Sequence, residues 1–247
     1  MKNAQAWRAT KYEFRGGHWR TARNAAEVGV GSRLITDAVA RVYEEHLPQH
    51  ARGRLLDLGC GQVPLYGAYR PWVSDVTCVD WADGTHVDRV CDLSRPLPFD
   101  DAGFDTIILS DVLEHIAEPA LLWREMARLL APGGKVLVNV PFLYWVHAHP
   151  NDYYRYTEFA LERFVRSNRL SLLTLRPLGG VVDVQSDLLA KVLAKIPLVG
   201  APLALAVQAL ARAFGRTTMG TRVTAVSSRH FPLGYFLIAE RAADDPA

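Results

Sequence analysis

Short, almost continuously apolar runs alternate with amphipathic segments along the middle of this chain. Five of the runs have the pattern of parallel strands buried on both faces: residues 54–58, 75–79, 86–90, 104–110 and 135–140. Between the last two, residues 119–134 have helical periodicity, with Pro119 suited to the first turn and Pro132-Gly133-Gly134 ending the helix. This alternation predicts an α/β fold with a doubly wound, mostly parallel sheet flanked by helices.

A further helix is predicted before the first strand. Ser32 precedes an amphipathic run at residues 34–47, and Pro48 follows the run, which is typical of an N-capped helix with a stop signal. We expect this helix to cover the entrance to the domain.

Two later apolar runs, at residues 170–177 and 235–240, bring the predicted sheet to seven strands. The intervening residues 178–230 are too many for a structureless loop, so we expect a helical insertion before the last strand. Its periodicity predicts two short helices, at residues 188–195 and 203–212, each with a narrow polar stripe.

The insertion contains an uncharged stretch, residues 196–211, that is shorter than the roughly 20 residues needed to cross a bilayer. Pro197 and Pro202 interrupt it. We therefore predict no membrane span. Three roles stay open for this apolar surface: a helical hairpin packed on the domain as a lid, a homodimer interface, or a peripheral contact with a membrane.

A chain of 247 residues with 49% hydrophobic content can form one substantial core, so we expect a single domain at residues 32–247 after an N-terminal arm. The net charge of +2 argues against nucleic acid as the partner. The arm, residues 1–31, is locally basic, with six Lys or Arg and one acid in its first 25 residues. It either steers an anionic acceptor or is a solvated, partly disordered tail.

The three cysteines lie at or next to predicted strands and form no C-x-x-C pair. This usage is typical of a reduced cytosolic protein without a disulfide framework or a zinc site. The first residues contain no apolar segment, so we predict no cleaved signal peptide. These features together predict a cytoplasmic protein.

Glycines and acids follow the predicted strands, at the sheet edge where such folds bind ligands. Gly59 and Gly61 let the loop after the first strand approach a ligand closely. Asp80, after the second strand, comes 23 residues after Asp57, the spacing at which an acid reaches a ribose diol. A dinucleotide fingerprint would have glycine in place of Pro64, so a pyrophosphate is not the expected ligand.

Four segments resemble motifs of the class I S-adenosylmethionine-dependent methyltransferases, and among these the type 11 methyltransferases. The segments are LLDLGCG, CVDWAD, CDLSRPLPFDDAGFDTIILSDVLEHI and LLAPGGKVLVNVPF. The resemblance implies S-adenosylmethionine as the cofactor. It also implies cofactor-binding residues, which are Asp57, Gly59 and Gly61 for the methionine end, Asp80 for the ribose, Asp92 and Leu93 for the adenine, Ser110 for the floor and His115 for the lining of the pocket. Cys60, between the two glycines, and Trp81, whose ring suits the adenine face, are expected to contact the cofactor as well. One departure is Val63, where the family commonly has a third glycine.

The acceptor site is predicted in residues 141–157, which contain two histidines, an aspartate, an arginine and four tyrosines. This segment resembles its counterpart in methyltransferases of bacterial glycans, which favours a glycan or another small molecule as acceptor. We expect His147 or His149 to take a proton from a hydroxyl, with Asp152 orienting the imidazole. Contacts with the acceptor itself are expected from four more residues: Tyr144, Trp145 and Tyr153 stacking on a ring, and Arg155 binding an acidic group.

Several alternatives stay open at this stage. Instead of orienting an imidazole and binding the acceptor, Asp152 and Arg155 could pair with each other and only brace the loop. Glu114 is expected to be solvated or to cap a helix. For the whole protein, the alternatives to S-adenosylmethionine-dependent O-methylation are a nicotinamide-dependent oxidoreductase and a non-catalytic cofactor-binding scaffold. No metal-binding residues are predicted.

Overall fold

The structure is a computed structural model that describes residues 1–243 of the chain. Within that range the nine strands are β1 (Tyr12–Arg15), β2 (His18–Thr21), β3 (Arg54–Leu58), β4 (Asp75–Asp80), β5 (Arg89–Val90), β6 (Phe104–Ser110), β7 (Leu130–Pro141), β8 (Leu170–Leu178) and β9 (Gly234–Arg241). The seven α-helices of the same range are α1 (Arg33–His50), α2 (Tyr66–Tyr69), α3 (Pro119–Leu129), α4 (Glu158–Ser167), α5 (Val181–Leu193), α6 (Gly200–Gly215) and α7 (Thr218–Ser227).

Seven strands form one sheet in the order β5-β4-β3-β6-β7-β9-β8, and β1 pairs with β2 in a separate hairpin. The strands β3 to β7 run parallel, whereas β9 is antiparallel to both of its neighbours. The predicted seven-stranded, mostly parallel sheet is therefore confirmed. Strand order reverses between β3 and β6, so their carboxyl ends border the crevice where sheets of this kind bind ligands.

The central strands match their predicted bounds, and the differences lie at the edges of elements. The strand predicted at residues 86–90 is reduced to β5, because the Asp88 carboxylate accepts a hydrogen bond from Cys78 N–H (2.7 Å) in a turn before it. β7 begins at Leu130, so the Pro-Gly-Gly segment belongs to the strand and does not end α3. Ser32 does not cap α1 through its side chain, and α1 continues past Pro48 to His50.

Alternate residues of the central strands face two different hydrophobic layers. Leu55 and Ile108 belong to the layer that includes the apolar side of α1. Leu56 and Ile107 belong to the opposite layer, together with Trp123 of α3. All five side chains are fully buried, and burial of each contributes about 1.5–3 kcal/mol. The site described below lies at the carboxyl edge of this doubly covered sheet.

The prediction of a solvated, partly disordered arm is wrong, because residues 12–21 form a hairpin packed on α1. Tyr12 of β1 is 1% exposed. The Thr21 hydroxyl donates to Asp37 Oδ1 (2.7 Å), and Trp19 N–H donates to Glu44 Oε1 (3.1 Å). Backbone and side-chain groups of β2 therefore have hydrogen-bond partners on α1. The division of the chain at residues 31 and 32 remains a prediction.

The insertion before β9 has three helices, α5 to α7, where the sequence predicted two. The fully buried Gln208 of α6 fastens it to the domain, since its Nε2 donates to Val30 O (2.7 Å) and its Oε1 accepts from Leu34 N–H (3.1 Å). Arg212 adds an ion pair to Asp37 (2.9 Å). Among the described helices none has the length and hydropathy required to span a bilayer. The lid, homodimer and peripheral membrane roles remain predictions.

Candidate active site

The loop after β3 folds tightly across the end of β4. Gly59 has a φ of +69°, and a Cβ there would lie 2.5 Å from Val112 Cγ2, so only glycine fits. The N–H groups of Gly59 and Cys60 both donate to Val79 O (2.8 and 3.0 Å). This double contact holds the loop beside β4 and directs Gly61 outwards.

Asp80 at the end of β4 completes this arrangement. One of its carboxylate oxygens accepts from Gly61 N–H (2.7 Å), and the other accepts from Ala82 N–H (3.3 Å). Gly61 and Asp80 line a cavity of about 570 Å³, which residues 82–87 and the N-terminal segment enclose. Two residues of that segment, Arg8 and Thr10, form part of the wall, so the N-terminal segment contributes to the site.

Val63 replaces the third glycine that the resemblance implies, yet it keeps a glycine-like backbone with a φ of +52°. This conformation is unfavourable for a β-branched residue, by roughly 1–2 kcal/mol. The Val63 side chain is fully buried, and the Trp7 indole N–H donates to its carbonyl (3.0 Å). Burial and this hydrogen bond from the N-terminal segment offset the strain.

Asp57, near the end of β3, is a buried acid with one hydrogen-bond donor, the Tyr69 hydroxyl (3.0 Å). Burial raises the pKa of Asp57 to about 7, against the lowering effect of the hydrogen bond from Tyr69, and the Asp80 charge raises it further. A positively charged group placed beside Asp57 would relieve this cost, since it favours the ionised carboxylate.

Other residues predicted to bind the cofactor are less closely associated with this cavity. Trp81 is 74% exposed, and Asp92 is exposed and paired with Arg95 (3.2 Å). Cys60 and Leu93 are buried, and Ser110 is half-buried at the end of β6. None of these five side chains lines the cavity, and neither do Asp57 and Gly59. The cofactor roles of all the residues named from the sequence remain predictions.

A second cavity, of about 290 Å³, lies between α1 and the loops that follow β6 and β7. On the α1 side its lining includes the apolar Ile35 and Val39 and the hydroxyl residues Ser32 and Thr36. The opposite side is polar, and its side chains are Lys11, Asp111, Glu114, His115, Tyr144 and His147. His115, predicted in the cofactor pocket, therefore lies beside His147, with the two ring centroids 4.9 Å apart.

His147 is the predicted catalytic histidine that lines this cavity. Its Nδ1 lies 3.3 Å from both Asp152 Oδ2 and Trp145 O, and its backbone N–H donates to Asp152 Oδ2 (2.8 Å). Desolvation lowers the pKa of His147, although the Asp152 charge opposes this. An imidazole that is neutral and held through Nδ1 has its Nε2 free to accept a proton.

Asp152 and Arg155 also form the ion pair that the sequence left as the alternative. Arg155 donates to both carboxylate oxygens of Asp152 (2.6 and 2.8 Å) and to Trp145 O (2.9 Å). These hydrogen bonds from Arg155 hold the pKa of Asp152 well below its usual range. The pair braces the loop and holds Asp152 against His147.

Five residues predicted for catalysis or acceptor binding do not line the second cavity: Asp152 and Arg155, which pair beside His147, and His149, Trp145 and Tyr153. His149 is exposed, at the turn before Pro150. Trp145 and Tyr153 are 39% and 49% exposed, and neither lines the cavity. Tyr144 does line it, and its hydroxyl lies 3.3 Å from Ser32 Oγ.

The sequence did not identify several polar groups of this cavity, among them Lys11, Asp111 and Glu114. Glu114 was expected to be solvated or to cap a helix, but it is 0% exposed, and burial together with the charge of Asp111 raises its pKa to about 8. Lys11 reaches in from the N-terminal segment and pairs with Asp111 (2.6 Å), which Asn139 also contacts. Their positions depend on long-range packing, so only the strand-end location of Asp111 and Glu114 offered a signal.

A family model described as a methyltransferase domain matches residues 29–178, which is more than half of the chain. The chain belongs to the class I S-adenosylmethionine-dependent methyltransferases. Membership in this family replaces the two alternatives from the sequence, the nicotinamide-dependent oxidoreductase and the non-catalytic scaffold. The methyl donor of the family is S-adenosylmethionine, and the site fits it, because acids at Asp57 and Asp80 suit an ammonium group and a ribose diol.

Relatives of this methyltransferase with curated names are distant. A ubiquinone biosynthesis O-methyltransferase from Xanthomonas euvesicatoria is 31% identical over 103 residues, which are 36% of this chain and 43% of that protein. A demethylmenaquinone methyltransferase from Renibacterium salmoninarum is 30% identical over 115 residues, which are 43% of this chain and 45% of that protein. The chain thus matches less than half the length of these relatives.

A solved S-adenosylmethionine-dependent methyltransferase from Mesorhizobium loti has the same fold. It is 16% identical, with a TM-score of 0.55, and the match covers 84% of this methyltransferase and 100% of the other chain. The comparison supports the α/β architecture at a level where sequence similarity alone says little.

Proposed function

We propose that this methyltransferase transfers a methyl group to a hydroxyl of a small ring-shaped acceptor bound in the 290 Å³ cavity. The observation that carries this proposal is His147, an imidazole held by Asp152 on one side and facing the cavity on the other. Methyl transfer to a hydroxyl needs approach geometry and a group that takes the proton. His147 meets the second requirement.

For the cofactor, we propose that Asp80 binds the ribose hydroxyls while it holds the Gly61 loop in place. Asp57 is proposed to face the ammonium group of the methionine part. Trp81, Asp92 and Leu93 are proposed to contact the adenine. When bound, S-adenosylmethionine supplies an electrophilic methyl group on a sulfonium.

The proposed reaction is an in-line displacement in which His147 Nε2 takes the proton of the acceptor hydroxyl. The oxygen forms a bond to the methyl carbon while the carbon–sulfur bond breaks, so a thioether leaves and one proton remains on the imidazole. Asp152 stabilises the protonated ring through its carboxylate, which Arg155 holds in position. The fixed pair therefore avoids reorganisation during proton transfer.

The acceptor that we propose is an aromatic ring bearing a free hydroxyl. The apolar residues of α1 provide a surface for a ring opposite the polar group of His147. The named distant relatives, enzymes of ubiquinone and menaquinone synthesis, agree with a ring acceptor. The glycan preference drawn from the sequence has no support from these relatives.

The test is turnover with S-adenosylmethionine and an aromatic diol such as protocatechuate, compared with methyl glucoside. We expect His147→Asn to lower kcat by about 100- to 10,000-fold, the usual contribution of a general base. His149→Asn is the matched control, and it should leave turnover unchanged because His149 is exposed outside the cavity. Undiminished turnover in His147→Asn would refute the base role, and transfer to the glucoside alone would refute the ring acceptor.

A further inference from the structure

Three side chains at the polar end of the acceptor cavity have the arrangement of a metal-binding site. Glu114 Oε1 lies 3.6 Å from His115 Nε2 and 3.8 Å from His147 Nε2. The three ligand atoms all lie within 4.8 Å of one another. We propose that Glu114, His115 and His147 bind a divalent first-row transition-metal ion such as Zn²⁺, with one open coordination position towards the acceptor.

The Glu114 carboxylate is buried without a hydrogen-bond donor in the described part of the chain. The side chain is 0% exposed, and neither of its oxygens has a hydrogen-bond partner among the residues that the structure describes. A buried carboxylate without partners is costly, whereas most buried polar groups in proteins are hydrogen-bonded or coordinate metals. Its oxygen points between two imidazole nitrogens, and a cation at that point would satisfy it.

Both imidazoles are held through Nδ1. His115 Nδ1 lies 2.6 Å from the carbonyl oxygen of Asn151, and His147 Nδ1 lies 3.3 Å from both the Asp152 carboxylate and Trp145 O. These acceptors favour the tautomer with hydrogen on Nδ1 and a lone pair on Nε2; at His147 they outweigh the longer approach of the Arg155 guanidinium (3.5 Å), which favours the other tautomer. Histidines that bind metals are oriented in this way, by a carbonyl or a carboxylate on the other ring nitrogen. Both lone pairs therefore face Glu114.

The separations between the three ligand atoms are compatible with one shared ion. Ligand atoms bound at about 2.0–2.1 Å in a tetrahedral site are about 3.4 Å apart. The two separations from Glu114 Oε1, 3.6 and 3.8 Å, exceed this by a few tenths of an ångström, and the two imidazole nitrogens lie within 4.8 Å of each other, so rotation of the two rings towards Glu114 is needed to close the site. Two imidazoles and one carboxylate favour Zn²⁺ and related ions over Mg²⁺, which prefers oxygen ligands.

This inference rests on the proposed function for its catalytic meaning, but metal binding itself does not depend on the acceptor. Three protein ligands leave a coordination position for a hydroxyl oxygen, as in catalytic zinc sites. A hydroxyl bound there loses its proton more readily, and the proton passes to solvent. The metal-free chain uses His147 Nε2 as the base of the proposed function. In the metal-bound chain the same nitrogen is a ligand, so the ion replaces the imidazole in activating the hydroxyl.

The test uses the full chain after treatment with a chelator. Titration calorimetry with ZnCl₂ should give one site per chain, CoCl₂ should give visible d–d absorption of a four-coordinate site, and MgCl₂ should give neither. Glu114→Gln, His115→Asn and His147→Asn should each weaken Zn²⁺ binding by at least about 100-fold, because changes behind the ligands alone cost about 10- to 100-fold. Asp152→Asn should fall within that smaller range.

His18→Asn is the matched control, since this exposed imidazole also lies beside a carboxylate, that of Glu44 (3.2 Å), and its loss should leave Zn²⁺ binding unchanged. Binding of S-adenosylhomocysteine shows which variants are folded. The inference is overturned if the parent chain takes up no Zn²⁺, or if folded Glu114→Gln and His115→Asn bind it as tightly as the parent. Failure of methyl transfer to aromatic hydroxyls would refute the proposed function without changing the metal stoichiometry.

Discussion

The buried carboxyl of Asp57 should make the stability of this methyltransferase depend on pH in a way that one substitution removes. Burial raises its pKa to about 7, whereas an aspartate in the unfolded chain has a pKa of about 3.9. Between these values the folded state holds a proton that the unfolded state has lost. Stability therefore falls as pH rises through this window, opposite to the effect of an aspartate stabilised by an ion pair.

The magnitude follows from the two pKa values. Between pH 5 and pH 8 the linkage relation gives a loss of about 2 to 3 kcal/mol in the free energy of unfolding from Asp57 alone. Asp57→Asn removes the titrating group, while the amide oxygen can still accept from the Tyr69 hydroxyl. The variant should therefore gain about 2 to 3 kcal/mol relative to the parent chain between pH 5 and pH 8, whatever fixed cost the amide adds.

Urea unfolding of both chains without cofactor, at several pH values from 5 to 8, measures this difference directly. Other titrating groups are common to both chains and cancel in the comparison. Tyr69→Phe provides a second check, because loss of its hydrogen bond should raise the pKa of Asp57 further and extend the fall in stability to higher pH. A stability difference between parent and Asp57→Asn that stays constant with pH would refute the reasoning.

Two further changes test the cofactor loop and the insertion. Asp80→Asn should weaken S-adenosylmethionine binding by about 10- to 100-fold in calorimetry, since a charged acceptor of hydrogen bonds is lost. Asp75→Asn, at the exposed start of the same strand, is the control and should leave binding unchanged. Equal effects of the two substitutions would contradict the ribose role of Asp80. Gln208→Leu should destabilise the chain by about 2 to 4 kcal/mol, because the N–H of Leu34 and the carbonyl of Val30 lose their partner. The exposed Gln49→Leu serves as control in urea unfolding, and equal stability of the two variants would show that Gln208 does not fasten the insertion.

The residues proposed to bind the cofactor and those proposed to bind the acceptor are encoded differently in the sequence. The loop at residues 59–61 and the acid Asp80 follow buried strands, so strand pairing alone brings them together. The position of the N-terminal segment could not be predicted from strand pairing. Its basic residues indicated a solvated tail, but Trp7 and Lys11 are in contact with Val63 and Asp111 across the fold.

The acceptor site depends on contacts between segments that have no fixed relation in sequence. The sequence left both His147 and His149 open as the base, and the path of the loop directs His147 to the cavity and His149 to solvent. Glu114 and His147 are 33 positions apart and meet because β6 and β7 are parallel neighbours. A metal site whose ligands come from separate segments has no single short sequence motif, which is why none was predicted.

The position of β9 has a consequence for how the chain folds during synthesis. Within the described sheet, β8 has β9 as its only neighbour, and β9 follows β8 by 55 residues of insertion. The strands from β3 to β7, with the loop at Gly61 and with Asp80, pair without β9. On the ribosome the cofactor side can therefore assemble first. At that stage one edge of β7 and the whole of β8 lack a paired strand. Chaperones or the helices of the insertion must then shield these edges from pairing with other chains.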